Sequence, residues 1–191
     1  MRVNRLFIPV TLVMTLSFQG CISPLVPDKH YPVSWGNIST LGAECKAIEG
    51  TYQNAGFIKT EDAQIGETTL TSLLLLPLKA QSVSLYTHTR RLDSRGDAFV
   101  TLRIVPDEQS ASYIEFDDCF CVKENLVCPG HGSSHGASPV GIVAGGSNFF
   151  FSVAEDRSLI VKRDDVAAGL ILIVPFRISE KSWGRFLPVK K

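Results

Sequence analysis

Ser82–Ile104 reads SVSLYTHTRRLDSRGDAFVTLRI, and its pattern decides the fold. Val83, Leu85 and Thr87 alternate with Ser84 and Tyr86, the two-residue period of a half-buried strand. Val100, Leu102 and Ile104 alternate in the same way with Thr101 and Arg103. Between the runs lies Asp93-Ser94-Arg95-Gly96-Asp97, a glycine-containing turn. Two alternating runs joined by such a turn predict a β-hairpin.

The same grammar extends in both directions. Downstream, Pro106-Asp107-Glu108 makes a turn, and Ile114 and Phe116 then alternate with Tyr113 and Glu115. Gly130–Gly146 holds six glycines with serine, alanine and two histidines, a composition that predicts a mobile loop. Phe149, Phe151 and Val153 share a strand face, with Phe150 opposite, either packed under a helix or lining a barrel-like interior. Glu155-Asp156-Arg157 turns the chain into Leu159 and Val161. Leu170–Phe176, LILIVPF, has the pattern of a strand buried on both faces, and Trp183–Leu187 predicts the last strand. Upstream, Ile48–Asn54 predicts a strand ending at Asn54-Ala55-Gly56. Thr68 or Thr69 caps a short helix carrying Leu70, Leu73 and Leu74, stopped by Pro77, although the leucine run also suits a buried strand. The sum is mainly β: an antiparallel sandwich or a curled, barrel-like sheet with one short helix.

The N-terminus carries a different kind of information. Arg2 and Arg5 precede Leu6–Phe18, an apolar run too short to span a bilayer and interrupted by Pro9. Gly20 then precedes Cys21, with Phe18 where leucine is commonest. This arrangement resembles the bacterial lipoprotein signal with its lipobox. The resemblance implies cleavage before Cys21, a diacylglycerol on its thiol and an acyl chain such as palmitate on its new amine. Ile22 in place of aspartate implies retention at the outer membrane, facing the periplasm. Residues 1–20 are then the signal, residues 21–40 a lipidated, proline-rich tether with Pro24, Pro27 and Pro32, and residues 41–191 a single domain. A small strand-rich body on such a tether is similar to small envelope lipoproteins of Gram-negative bacteria. Ile48–Gly56 and Trp183–Phe186 carry that likeness, which implies no activity.

Charge and composition exclude more than they assign. Loss of Arg2 and Arg5 leaves 17 Lys and Arg against 19 Asp and Glu, which gives no footprint for nucleic acid. In an oxidising compartment Cys45, Cys119, Cys121 and Cys128 are disulfide candidates. A hairpin centred on Glu124–Asn125 places Cys121 across from Cys128, which leaves Cys119 for Cys45. The competing reading joins those thiols to His131 and His135 as a zinc or copper site. Disulfides remove the thiolates that such a site needs, so it is the weaker reading. Ser133 and Ser134 beside His135 lack the strand–turn–helix context of a hydrolase elbow. Arg95-Gly96-Asp97 matches an adhesion tripeptide, but glycine in a turn explains itself. Asp117–Asp118 and Asp164–Asp165 are paired acids at strand ends, able to bind a cation and more often solvated. No cofactor is implied. The expected partners are the membrane, through lipid on Cys21, and another envelope protein. The first functional reading is a non-catalytic interaction or structural module, the second a binder of a lipid-like apolar ligand.

Overall fold

The computed structural model describes residues 30–42, 44–77, 79–92, 98–107, 113–122, 124–130, 134–138, 141–171 and 174–190. The chain is mainly β, with one antiparallel sheet that curls upon itself. Its strands are β1 (Ile38–Ser39), β2 (Gly50–Gln53), β3 (Ala55–Thr60), β4 (Gly66–Thr69), β5 (Ser82–Leu92), β6 (Ala98–Pro106), β7 (Ile114–Val122), β8 (Asn125–Pro129), β9 (Ser134–Ser138), β10 (Gly141–Ala154), β11 (Leu159–Ile171) and β12 (Val174–Phe186). The order along the sheet is β2-β5-β6-β7-β8-β10-β11-β12-β3-β4, with β1 and β9 each added to β10. The segment after β12 then lies against β2. Gln53 N donates to Leu187 O at 2.8 Å, Val189 N donates to Thr51 O at 2.8 Å, and Tyr52 bridges Pro188. This short seam brings the end of the curl back to its first strand.

The alternation in Ser82–Ile104 has its expected outcome. Val83, Leu85, Val100, Leu102 and Ile104 are buried, while Tyr86 faces out. They join Phe116, Phe149, Phe151 and Phe186 in the main core. Phe116 meets Phe149 edge-on at 5.6 Å between ring centres. Burying each such ring contributes up to about 3 kcal/mol. The predicted helix is the four-residue α1 (Leu70–Leu73), and Thr69 caps it by accepting a hydrogen bond from Ser72 N at 3.1 Å. Leu70, Leu73 and Leu74 all go into the core. Gly184 gives α1 its room: a Cβ there would lie 2.5 Å from Leu73 Cδ2.

The β2–β3 bend turns on Asn54, a buried polar residue with every group used. Its Nδ2 donates to Ala80 O at 2.9 Å and Thr71 Oγ1 at 3.2 Å, and its Oδ1 accepts from Thr71 N at 3.0 Å. Tyr52 is buried beside it, and desolvation pushes its phenol up to about 12.

Four expectations are corrected. The segment read as a loop, Gly130–Gly146, contains β9 and the start of β10, because the glycines and small residues pair through backbone groups without needing a core. Leu170–Phe176 is not one buried strand. It spans the end of β11 and the start of β12, and Leu170 and Val174 are 45% and 63% exposed. Phe150 does not pack under the helix: it lies on the outer face of β10, with Lys162 Nζ 5.1 Å from its ring centre. The tether gives way to packed structure before residue 40. Trp35 is buried with Ala154, Ile160 and Trp183, and β1 pairs with the end of β10.

Candidate interaction surfaces

The disulfides are Cys45–Cys121 and Cys119–Cys128, not Cys121–Cys128 with Cys45–Cys119. The residues are those expected, and the partners are exchanged. The cause is a shift of the hairpin centre by one residue, which moves the register by two. Phe120 pairs with Val127 and Cys121 with Leu126, so the β7–β8 hairpin is centred before Glu124 and puts Cys119 opposite Cys128. The two Cα atoms are 4.2 Å apart, as in a directly opposed antiparallel pair. Cys121, on the same face, reaches inward to Cys45. All four thiols are consumed, so none is left as a thiolate ligand. His131 lies outside the described residues, as do Cys21, Ser133 and Arg95-Gly96-Asp97. His135 sits on β9 opposite Ala144. Among the described residues no group of three His, Cys, Asp or Glu side chains could hold a metal ion.

The paired acids do not converge. Asp117 accepts from Arg90 at 2.6 Å and from Thr101 Oγ1 at 3.2 Å. Asp118 takes a left-handed conformation, φ 57°, where the β6–β7 register shifts. Asp165 is held by Arg163 at 2.7 Å and Asp164 by Ser179 Oγ at 3.1 Å. As neighbours in a strand, Asp164 and Asp165 point to opposite faces.

Two surfaces stand out. The first is the outer face of β5, β6 and β7. Tyr86, Arg103 and Glu115 form one row across it. Arg103 makes two hydrogen bonds to Glu115 Oε1, at 2.9 Å and 2.8 Å, and lies 4.4 Å from the Tyr113 ring centre. Tyr86, His88, Arg90, Thr101, Arg103 and Glu115 line a shallow concavity of about 520 Å³. Each guanidinium has its own carboxylate, so the face is ordered and nearly neutral.

The second surface is an arm. The distal parts of β10, β11 and β12, with β9, run on as an antiparallel sheet beyond the aromatic core. Gly145, Ala167 and Ile178 lie side by side, and Gly169 lies beside Phe176. Ile178 is 61% exposed. Positions 136–148 and 166–176 contain no charged residue. Charge enters the arm at Arg177, opposite Ala168, and increases towards its base, where Asp165 is opposite Glu180 and Asp164 opposite Lys181. Sequence pattern missed this surface because a run such as LILIVPF reads alike whether a core or a partner covers it. The signal in the sequence was the lack of charge over both stretches together.

Comparison with family models, with curated proteins and with solved structures finds no match to this chain.

Proposed function

We propose that this chain is a lipid-anchored lipoprotein of the outer membrane, facing the periplasm, that works by contact with another envelope component and not by catalysis. The anchor in this reading is Cys21, made N-terminal by cleavage after Gly20. The observation that carries the contact role is the division of apolar surface. Phe116, Phe149, Phe151 and Phe186 fill the interior of the curl, whereas Leu170, Val174 and Ile178 are displayed outside it. A filled interior leaves the alternative apolar ligand little room, and apolar side chains displayed to the outside are what a contact site offers. Two disulfides among four cysteines suit an oxidising compartment.

Intact mass of the protein extracted from membranes tests the anchor. The expected mass is residues 21–191 plus acyl chains, with no thiol alkylated before reduction. An unlipidated mass, or one retaining residues 1–20, overturns the proposal.

A further inference from the structure

We propose that the outer side of β10, β11 and β12 rests on an anionic lipid surface. The inference deepens the envelope reading and rests on its anchor at Cys21. It names the side of the molecule that the anchor draws to the membrane.

Alternation gives these strands two sides. Phe149, Phe151, Val161 and Phe186 mark the inner side, which covers the core. Phe150, Lys162, Trp183 and Lys59 form one row across the outer side. Lys162 Nζ lies 5.1 Å from the Phe150 ring centre and 5.9 Å from that of Trp183. Further along the arm, Lys181 and Arg177 keep to the outer side, opposite Asp164 and Ala168. Exposed Leu170, beside Pro175, is on that side too.

Charge separates the two sides. On the outer side of β10–β12, Lys162, Arg177 and Lys181 stand with Asp164 as the only acid among the described residues. Arg185 is there as well, bound to Asp156. Lys59 adds a cation on β3, and Glu67, opposite Phe57 on β4, is the next acid. The inner side has Arg163, which is held by Asp165, and then Glu180. An anionic surface therefore complements the outer side and repels the inner one. Lysine and arginine keep their charges among headgroups while apolar neighbours reach the acyl boundary. Contact at that depth leaves the open edge of β12 hydrated, whereas hydrocarbon would leave its backbone groups unpaired.

The described chain also begins on this side. Trp35 packs with Ala154, Ile160 and Trp183, and the His30 ring centre lies 6.3 Å from that of Trp183. Nine residue steps join His30 to Cys21, a reach of at most about 30 Å. Acyl chains on Cys21 therefore hold the outer side of β11 and β12 within that distance of the bilayer. Val174 and Ile178, on the inner side, are turned away from lipid and left for the protein contact.

The test uses the chain as cells process it, extracted from membranes and reconstituted into phosphatidylcholine vesicles with or without phosphatidylglycerol. A photo-crosslinking phenylalanine analogue stands at position 170, on the outer side, or at position 178, on the inner. With phosphatidylglycerol present, phospholipid adducts at position 170 are expected to exceed those at 178 at least about fivefold. The yield at position 170 is expected to fall by a similar factor, about fivefold, in the neutral vesicles. Arg177→Glu combined with Lys181→Glu is expected to lower it as much while both disulfides stay formed. Equal yields at 170 and 178, no lipid adduct at 170, or a yield indifferent to phosphatidylglycerol or to the double substitution overturns the inference. Intact mass of the same preparation distinguishes the two readings. An acylated chain that fails these comparisons overturns the docking side alone, whereas an unacylated mass overturns the anchor and the inference with it.

Discussion

Asn54 is a small residue with a large structural duty. Its side chain serves Thr71 N, Thr71 Oγ1 and Ala80 O, joining the β2–β3 bend to α1 and to the approach to β5. Asn54→Leu keeps the branched shape and removes the hydrogen-bonding groups. The buried amide of Thr71 and the carbonyl of Ala80 then go unpaired, and the expected loss is about 2–4 kcal/mol in a urea titration. Asp107 acts at the surface. Its Oδ1 accepts from Ser82 N at 2.9 Å and Gln81 N at 3.0 Å, fastening the end of β6 to the start of β5. The Ser82 amide, opposed by slight desolvation and helped by Gln81 and the Ser82 hydroxyl, holds this carboxyl below its ordinary 3.8. A lowered folded-state value means stability that is present above the unfolded value and lost as pH falls through the folded one. Asp107→Asn is therefore expected to be less stable than the wild type at pH 6. The two curves should converge as pH falls below 3.8 and through the lowered folded-state value, measured as denaturation midpoints across that range.

At the scale of elements, the two disulfides differ in what they constrain. Cys45–Cys121 closes 76 residues and Cys119–Cys128 only 9. On the chain-entropy account the first contributes roughly 4–5 kcal/mol and the second roughly 2–3 kcal/mol. Removing Cys45 and Cys121 together should lower the melting temperature more than removing Cys119 and Cys128 together. Cleavage at Phe120 and Leu126 separates the three clustered cysteines, so mapping of the unreduced peptides should recover the pairing directly. This hairpin also shows where sequence reading stops. That strands occur here was legible from alternation and β-branched residues. Which cysteine faces which depends on the hairpin centre, and moving that centre by one residue shifts the register by two, which keeps every side chain on its face and leaves the two-residue period unchanged. Asp118, left-handed beside the register shift, further breaks the count that a regular strand would allow.

At the scale of the molecule, the curled antiparallel sheet was legible in Ser82–Ile104 and its neighbours, because burial on one face forces alternation. The arm was not. Its strands have no core beneath them, so they lack alternation, and composition alone made Gly130–Gly146 read as a loop. Backbone pairing with β11 and β9 holds that stretch extended where side-chain burial does not.

The seam between β2 and the segment after β12 has a kinetic meaning. Thr51 and Val189 stand near opposite ends of the described chain, yet they share a hydrogen bond. The bond carries the β3–β12 pairing on across the Asn54 bend, so β2 lies between β5 and the segment after β12. Loop-closure entropy makes a contact between segments this far apart in sequence slow to form. A chain of this topology spends longer in the open form than one closed by local hairpins. During that interval β2 is a bare edge, so the final residues of the sheet act as its lock against misassembly.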